Sequence, residues 1–429
     1  MINLKQNELI LINSKLKDAL IDRTNNKGIV TFQNAKSEPL HRWFPYLEGF
    51  SEEFIDIVYN SDKNDISYIY EPFAGSGTVP VYSLKKGVDC LFNEINPFMA
   101  KITLLKVEVL KNLESSRQLL IDDCKTLLNL YKNDVRKLAP DKDLEQSYKN
   151  VFFPSEYFDK ENYLRVLQSK SFLIKIEHNN DLSSLSKKLL WLAMTESLLN
   201  SSLLKRAGDV RFRRGKEKEN IPRYLKKVED SFQIIVKDLS LLPHINKLIE
   251  VKYIPNAKED LKVKNFADII ITSPPYLNGT NYIRNTKLEL WFDSILKEKK
   301  DLSFYRKEVV TAGINDVIKD KKLFSFKPLE DLLKNNTNWY DRRIPKMIND
   351  YFYDMKKVLI NCHHALKKDR ALYIDIGDSI YGGNYIPTHE LLKELSIEIG
   401  FRHKETIVLR KRKSNKGGEL RQVLIKLVK

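Results

Sequence analysis

The stretch that decides the fold is Ser67–Glu94, SYIYEPFAGSGTVPVYSLKKGVDCLFNE. SYIY reads as a short buried strand and VDCLFNE as a second. Between them TVPVYSLKKG reads as a helix, with Pro80 in its first turn and Gly87 just past its last. The result is a strand–helix–strand unit. Gly75-Ser76-Gly77, at the junction of strand and helix, lets the backbone turn sharply and approach a ligand closely. Taken alone, Gly-x-Gly reads as readily as an ordinary tight turn. Its context adds Glu94 at the end of the next strand, where a carboxylate can accept hydrogen bonds from both hydroxyls of a ribose. The third glycine of a dinucleotide fingerprint is replaced by Pro80, so one nucleoside-binding half is expected and a nicotinamide or flavin dinucleotide is not.

Working outward, a polar opening segment runs to about Lys36, and HRWFPYLEGF (His41–Phe50) forms an aromatic cluster around Pro45 that reads as docked on the fold. From about Lys101 to Glu250, Leu and Lys recur at helical spacing with almost no strand signal, which predicts a mainly helical insertion. Strands resume at ADIIIT (Ala267–Thr272). A polar stretch spans about Ser294–Arg343, and a helix then ends near Leu366. ALYIDIG, TIVLR and QVLIKLV are three further strand candidates. The alternation predicts an α/β fold with a mainly parallel sheet. The domain reading is 1–103 for the N-terminal segment and first catalytic part, 104–250 for the insertion, and 251–429 for the second catalytic part, with a sub-insertion at about 294–343.

The chain has 429 residues, with 73 Lys and Arg against 57 Asp and Glu, a formal charge of +16. That excess makes nucleic acid the first partner to consider, a lysine-rich surface without a polyanion being the alternative. The charge concentrates at Ser201–Lys227, with ten basic residues against three acidic. No apolar run approaches the ~20 residues of a membrane span, and the N-terminus lacks the uninterrupted apolar core of a secretory signal. Cys90, Cys124 and Cys362 cannot form a disulfide framework. A reducing cytoplasm is the expected setting.

Thr272-Ser273-Pro274-Pro275-Tyr276 ends the strand ADIIIT, at the carboxyl edge where open α/β sheets bind ligands. Two prolines restrict the backbone and leave carbonyls free to aim outward. Ser273 and the Pro274 carbonyl can accept from an exocyclic amine while Tyr276 stacks on the ring that carries it. The alternative is a Pro-Pro turn ending a strand beside a core tyrosine. An exocyclic amine is a poor nucleophile, and acceptors aimed at its protons concentrate charge on nitrogen as it attacks. Carbon-5 cytosine chemistry would need a nucleophilic cysteine after a proline, which none of the three cysteines provides. Cys362-His363-His364 is not read as a metal site, since adjacent helical residues diverge.

The two segments together resemble the amino-type DNA methyltransferases, whose cofactor loop reads D-P-F-x-G-S-G-T and whose catalytic loop reads D/N/S-P-P-Y/F. The likeness covers roughly residues 38–103 and 251–429. It implies a Rossmann-like methyltransferase sheet of seven strands with S-adenosylmethionine as cofactor. Gly75, Ser76, Gly77 and Thr78 would wrap its methionine part and Glu94 its ribose, with Glu71, Pro72, Phe73 and Ala74 also among the cofactor-binding residues. Glu71 stands where the family usually has Asp, and Asn256 where it often has an Asp facing adenine. His41-Arg42-Trp43-Phe44-Pro45-Tyr46 resembles the preceding motif, with Phe44 at the cofactor's methionine end. Ser273, Pro274, Pro275 and Tyr276 would be catalytic, with Asp375 and Asp378 near the base pocket. A side chain at Gly75 or Gly77 would occupy cofactor space.

The activity so implied is site-specific methylation of cytosine N4 in double-stranded DNA, in a restriction-modification or phage-defence setting with a cognate restriction endonuclease as a further partner. Serine before Pro-Pro-Tyr favours cytosine within the family, and adenine N6 is the alternative. An RNA base-amine methyltransferase and a nucleic-acid-binding protein with an inactive fold are the other readings. A stacked base must be flipped out, at a cost offset by backbone contacts. Arg206, Arg211, Arg213 and Arg214 are the candidate DNA contacts, with Arg410-Lys411-Arg412-Lys413 second.

Overall fold

The computed structural model describes residues 20, 37–45, 49–62, 65–245, 248–278, 280–318, 321, 323–413 and 418–429. Apart from Leu20, the polar opening segment to Lys36 lies outside the described residues, as does Tyr46. Helix α1 (Glu52–Ser61), capped by the Ser51 hydroxyl on the Phe54 amide, leads into strand β1 (Tyr68–Glu71). Helix α2 (Thr78–Lys86) and strand β2 (Asp89–Asn93) complete the anticipated unit. Helix α2 runs between two glycines in the left-handed region, Gly77 at φ 87° and Gly87 at φ 73°.

Helix α3 (Pro97–Asp134) opens under the Asn96 side chain, which accepts from the Phe98 and Met99 amides, and kinks at Ser116. The Ser116 hydroxyl bonds back to the Asn112 carbonyl, a known cause of helix bending. Helices α4 (Lys142–Phe152), α5 (Lys160–Glu177), α6 (Ser184–Asn200) and α7 (Tyr224–Leu239) form the helical layer read from Leu and Lys spacing. A hairpin interrupts it, β3 (Leu204–Ala207) and β4 (Asp209–Phe212), turning at Gly208 with φ 77°. Its four-residue strands are rich in basic residues, so the apolar alternation that reveals a strand is missing. Strand β5 (Val251–Ile254) follows and is too short to read.

Strand β6 (Ala267–Thr272) is buried throughout. Helices α8 (Lys287–Phe292), α9 (Lys299–Glu308), α10 (Lys327–Asn335) and α11 (Ile344–Ala365) lead to β7 (Leu366–Gly377). A small hairpin, β8 (Ser379–Tyr381) and β9 (Asn384–Ile386), precedes α12 (Thr388–Ile399), β10 (Arg402–Lys413) and β11 (Glu419–Val428). The seven-stranded sheet has the order β10-β11-β7-β6-β1-β2-β5. From β7 to β5 all neighbours are parallel, while β11 runs antiparallel to β7 and β10. This is the Rossmann-like α/β class expected from the sequence.

Period-two alternation sends side chains to both faces. Ile69, Cys90, Ile269, Ile271 and Tyr373 pack with Val58 of α1 and Val79 and Tyr82 of α2. Tyr70, Leu91, Ile270, Leu372 and Ile374 pack with α11 and α12. The helical layer's apolar cluster is continuous with Trp43, Phe44, Leu84, Phe98 and Trp291, so it is built onto the sheet unit and not beside it. Buried Asp238, in α7, takes the Trp43 indole N–H at 2.8 Å and the Arg42 Nε at 2.9 Å, pinning the aromatic segment. Among the described residues no helix is long and apolar enough to cross a membrane.

Asp238→Ala leaves a buried indole N–H and a guanidinium without their acceptor. The expected loss is about 3 kcal/mol, read from the urea denaturation midpoint.

Candidate active site

Strands β1 and β6 are hydrogen-bonded neighbours, with Tyr70 opposite Ile270, so the loops after them emerge side by side at the carboxyl edge. The Thr272 hydroxyl donates to the Glu71 carboxyl at 2.5 Å, and the Phe73 amide donates to the same oxygen at 2.8 Å. Burial pushes Glu71 up to about 8 despite these bonds. Glu94 accepts the Gly75 amide through one oxygen and the Asn96 amide through the other, both at 2.8 Å. Burial raises it to about 7.

The glycine loop is also held by α3. The Thr103 hydroxyl donates to the Gly75 carbonyl at 3.2 Å, and the Lys106 ammonium donates to the Ser76 carbonyl at 2.7 Å. Lys106 is fully buried, and desolvation brings its pKa down to about 7. No sequence signal distinguishes it from the other lysines of a lysine-rich helix, because only tertiary packing buries this one.

A cavity of about 390 Å³ joins the two loops. Pro72, Phe73, Gly75 and Glu94 line it from one side and Ser273, Pro274, Pro275 and Tyr276 from the other. Asn256 lines it too, its amide donating to Glu308 at 3.1 Å. A smaller recess of about 30 Å³ is lined by Glu71, Ala74, Ser76 and Thr78 and shares Phe73, Gly75 and Ser273 with the larger one. Neither includes Gly77 or Phe44. Phe44 is a core residue whose ring meets Phe98 edge-on at 5.2 Å. A Cβ at Gly77 would lie 2.7 Å from Cγ2 and Oγ1 of Thr103, so its positive φ and the close approach of α3 already require the glycine, whatever space a cofactor takes.

On the Ser-Pro-Pro-Tyr side, the Tyr276 hydroxyl donates to Asp375 at 3.1 Å, and Asp375 lines the cavity. Burial pushes Asp375 up to about 7. Asp378 does not line it. Lying past the end of β7, it takes the Tyr385 hydroxyl and pairs with the His389 ring. Cys362 is buried in the core, and the His363 ring sits edge-on to Phe401.

The four arginines of the basic run take different places. Arg206 donates to the Pro45 carbonyl at 3.1 Å and Arg213 to the carbonyls of Ser202 and Asn200, both at 3.0 Å. Arg211 forms two bonds to Glu217, and Arg214 is exposed. The hairpin they ride on reaches the site. Gly208 lines the cavity, Asp209 accepts the Asn281 amide at 3.3 Å, and the Val210 amide donates to Asn285 at 3.0 Å. Arg410 and Arg412 also line the cavity, and no carboxylate pairs with either among the described residues.

A parallel sheet that carries a glycine loop and a Ser-Pro-Pro-Tyr loop on adjacent strand ends is the arrangement the resemblance to the amino-type DNA methyltransferases implies, and the chain is similar over most of its length to type II methyltransferases. It is an enzyme of the methyltransferase class. The chain is 26% identical to the type II methyltransferase M.AvaI of Nostoc sp., over 92% of its own length and 86% of that protein's. Type II methyltransferase M.BsoBI of Geobacillus stearothermophilus is 22% identical over 92% of this chain and 85% of its own. For type II methyltransferase M.MvaI of Kocuria varians the figures are 22%, 90% and 88%. No family model matches.

Gly77→Ala and Gly87→Ala separate backbone strain from crowding, since both sit at positive φ but only Gly77 has a neighbour within 4 Å. Each should lose about 1–2 kcal/mol to the left-handed backbone, and Gly77→Ala a further 1 kcal/mol or so to the Thr103 contact. Paired denaturation curves measure the difference.

Proposed function

We propose that the protein is a site-specific DNA methyltransferase that methylates the exocyclic N4 amine of cytosine from S-adenosylmethionine. Its setting would be cytoplasmic restriction-modification alongside a cognate endonuclease. The observation that carries the reading is the single cavity shared by the glycine loop and the Ser-Pro-Pro-Tyr loop.

The donor set suits the cofactor. Glu71 in the smaller recess matches an α-ammonium, Glu94 matches the two ribose hydroxyls, and Phe73, Ile95 and Val310 offer apolar walls for adenine. The cofactor supplies an electrophilic methyl group on a sulfonium. The chain's part is to bind the reactants and aim the amine. Ser273 and the Pro274 carbonyl accept from the target amine, which favours the charge that builds on nitrogen during transfer. Tyr276 offers its ring to the flipped base. Serine at 273 supports cytosine over adenine by family resemblance. For DNA contact, Arg410 and Arg412 at the cavity, with Arg214 and Arg211 on the hairpin, are the cations we assign to phosphates. Arg206 and Arg213, which hold backbone carbonyls, would position that hairpin.

Incubation with unmethylated DNA and S-adenosylmethionine, followed by digestion to nucleosides and mass spectrometry, should yield N4-methylcytosine. N6-methyladenine alone would move the assignment to adenine, and no methylated nucleoside from a folded, cofactor-binding protein would overturn it.

Glu71, at about 8, carries a proton at pH 7. An ammonium placed beside it lowers that pKa, so cofactor binding should release a proton, and affinity should rise as pH climbs toward about 8. Calorimetry in two buffers of different ionisation enthalpy reads the release, which Glu71→Gln should abolish.

Replacing Arg410 and Arg412 with glutamine should flatten the salt dependence of DNA affinity by roughly one unit of slope per lost phosphate contact. Binding isotherms across a salt series check this, and Arg206→Gln should instead lower folded stability.

A further inference from the structure

Gly377, the last residue of β7, is outside the positive-φ region that demands glycine, so its backbone would accept any residue. What it contributes is the absence of a side chain. A Cβ there would lie 3.0 Å from both Cδ2 and Cε2 of Tyr276, closer than nearly all real contacts of that kind. The Tyr276 ring therefore lies directly on the strand.

Two further residues fasten the same ring. Asp375, two positions earlier on β7 and hence on the same face, takes the Tyr276 hydroxyl at 3.1 Å. Gln422 of β11, the register partner of Gly377, donates its amide to both Asp375 oxygens at 2.9 and 3.0 Å. Asp375 and Gln422 are both buried, and a buried carboxyl held by donors is costly to displace. The ring is thus supported beneath by Gly377 and anchored at its hydroxyl by Asp375. Tyr276, Asp375 and Gln422 all line the cavity.

We propose that Asp375, Gly377 and Gln422 form a bracket that fixes the plane of the Tyr276 ring and so sets the wall against which the target base stacks. They are positioning residues acting through Tyr276. The inference rests on the methyltransferase reading above. A stacked base takes its orientation from the ring beneath it, and a displacement of a few tenths of an ångström to one ångström at the reacting amine reduces transfer strongly without touching the cofactor. The bracket comes from strands on the far side of β6 from the glycine loop, so its disturbance should separate turnover from cofactor binding.

The test uses the full chain, tritiated methyl transfer to unmethylated genomic DNA, and calorimetry with S-adenosylmethionine. Gly377→Ala should lower kcat about tenfold or more, with cofactor affinity within about twofold of the parent and DNA KM little changed. In a Tyr276→Ala background, Gly377→Ala should cost nothing further, because no ring remains to displace. Turnover of Gly377→Ala within about twofold of the parent would overturn the bracket. So would a loss that multiplies onto that of Tyr276→Ala. Should Gly377→Ala fail to fold, Tyr276→Phe keeps the ring and removes only the hydroxyl anchor. It should lose about threefold or more in kcat at unchanged cofactor affinity, and unchanged kcat would overturn the inference. A parent protein that binds the cofactor but transfers no methyl group would count against the methyltransferase reading itself.

Discussion

The site depends on one adjacency, the parallel pairing of β1 with β6, and on the buried bond from Thr272 to Glu71 that closes it. Parallel neighbours end on the same edge, so two loops separated by about 200 residues in the chain become two walls of one cavity. Glu71 does the joining because it is long enough to reach Thr272 while still accepting the Phe73 amide. An aspartate at that position would be one methylene shorter.

Around this seam the protein keeps three acids in poorly solvated places. Glu71, Glu94 and Asp375 are each pushed up toward or past neutrality by burial, and each is held by specific donors. Lys106 is the complementary case, a fully buried ammonium lowered to about 7 under the glycine loop. Four groups shifted toward neutral pH in and beneath one cavity mark it as a candidate ligand site. Buried ionisable groups of this kind add little to folding stability.

The +16 excess is not spread as a uniform coating. Within the basic run, Arg206 and Arg213 spend their donors on backbone carbonyls, and Arg211 on Glu217. These bonds hold a short hairpin whose turn, at Gly208, forms part of the cavity wall. The segment that reads as a charged loop on an insertion is therefore also part of the site's architecture. The helical layer behaves likewise, sharing its apolar cluster with Trp43, Phe44 and Trp291 and lending Thr103 and Lys106 to the glycine loop through α3.

Much of this is legible in the residues themselves. Buried strands such as ADIIIT, the glycine loop between a strand and a helix, and the Ser-Pro-Pro-Tyr turn follow from local propensity and spacing, so fold class and both motif loops could be read directly. The short strands β3, β4 and β5 could not, since four residues are too few to establish a periodicity. Nor could Phe44 be told from a pocket residue, or Gly77 from a pocket glycine, because both depend on where Phe98 and Thr103 of α3 come to lie. Lys106 under the loop, and Asp375, Gly377 and Gln422 around Tyr276, gain their meaning only from contacts between strands and helices distant in the chain. Sequence determined which elements form and which chemistry their ends can offer. Tertiary structure alone decided which side chains support those ends, because burial and close approach arise from the packing of non-adjacent elements and leave no local pattern.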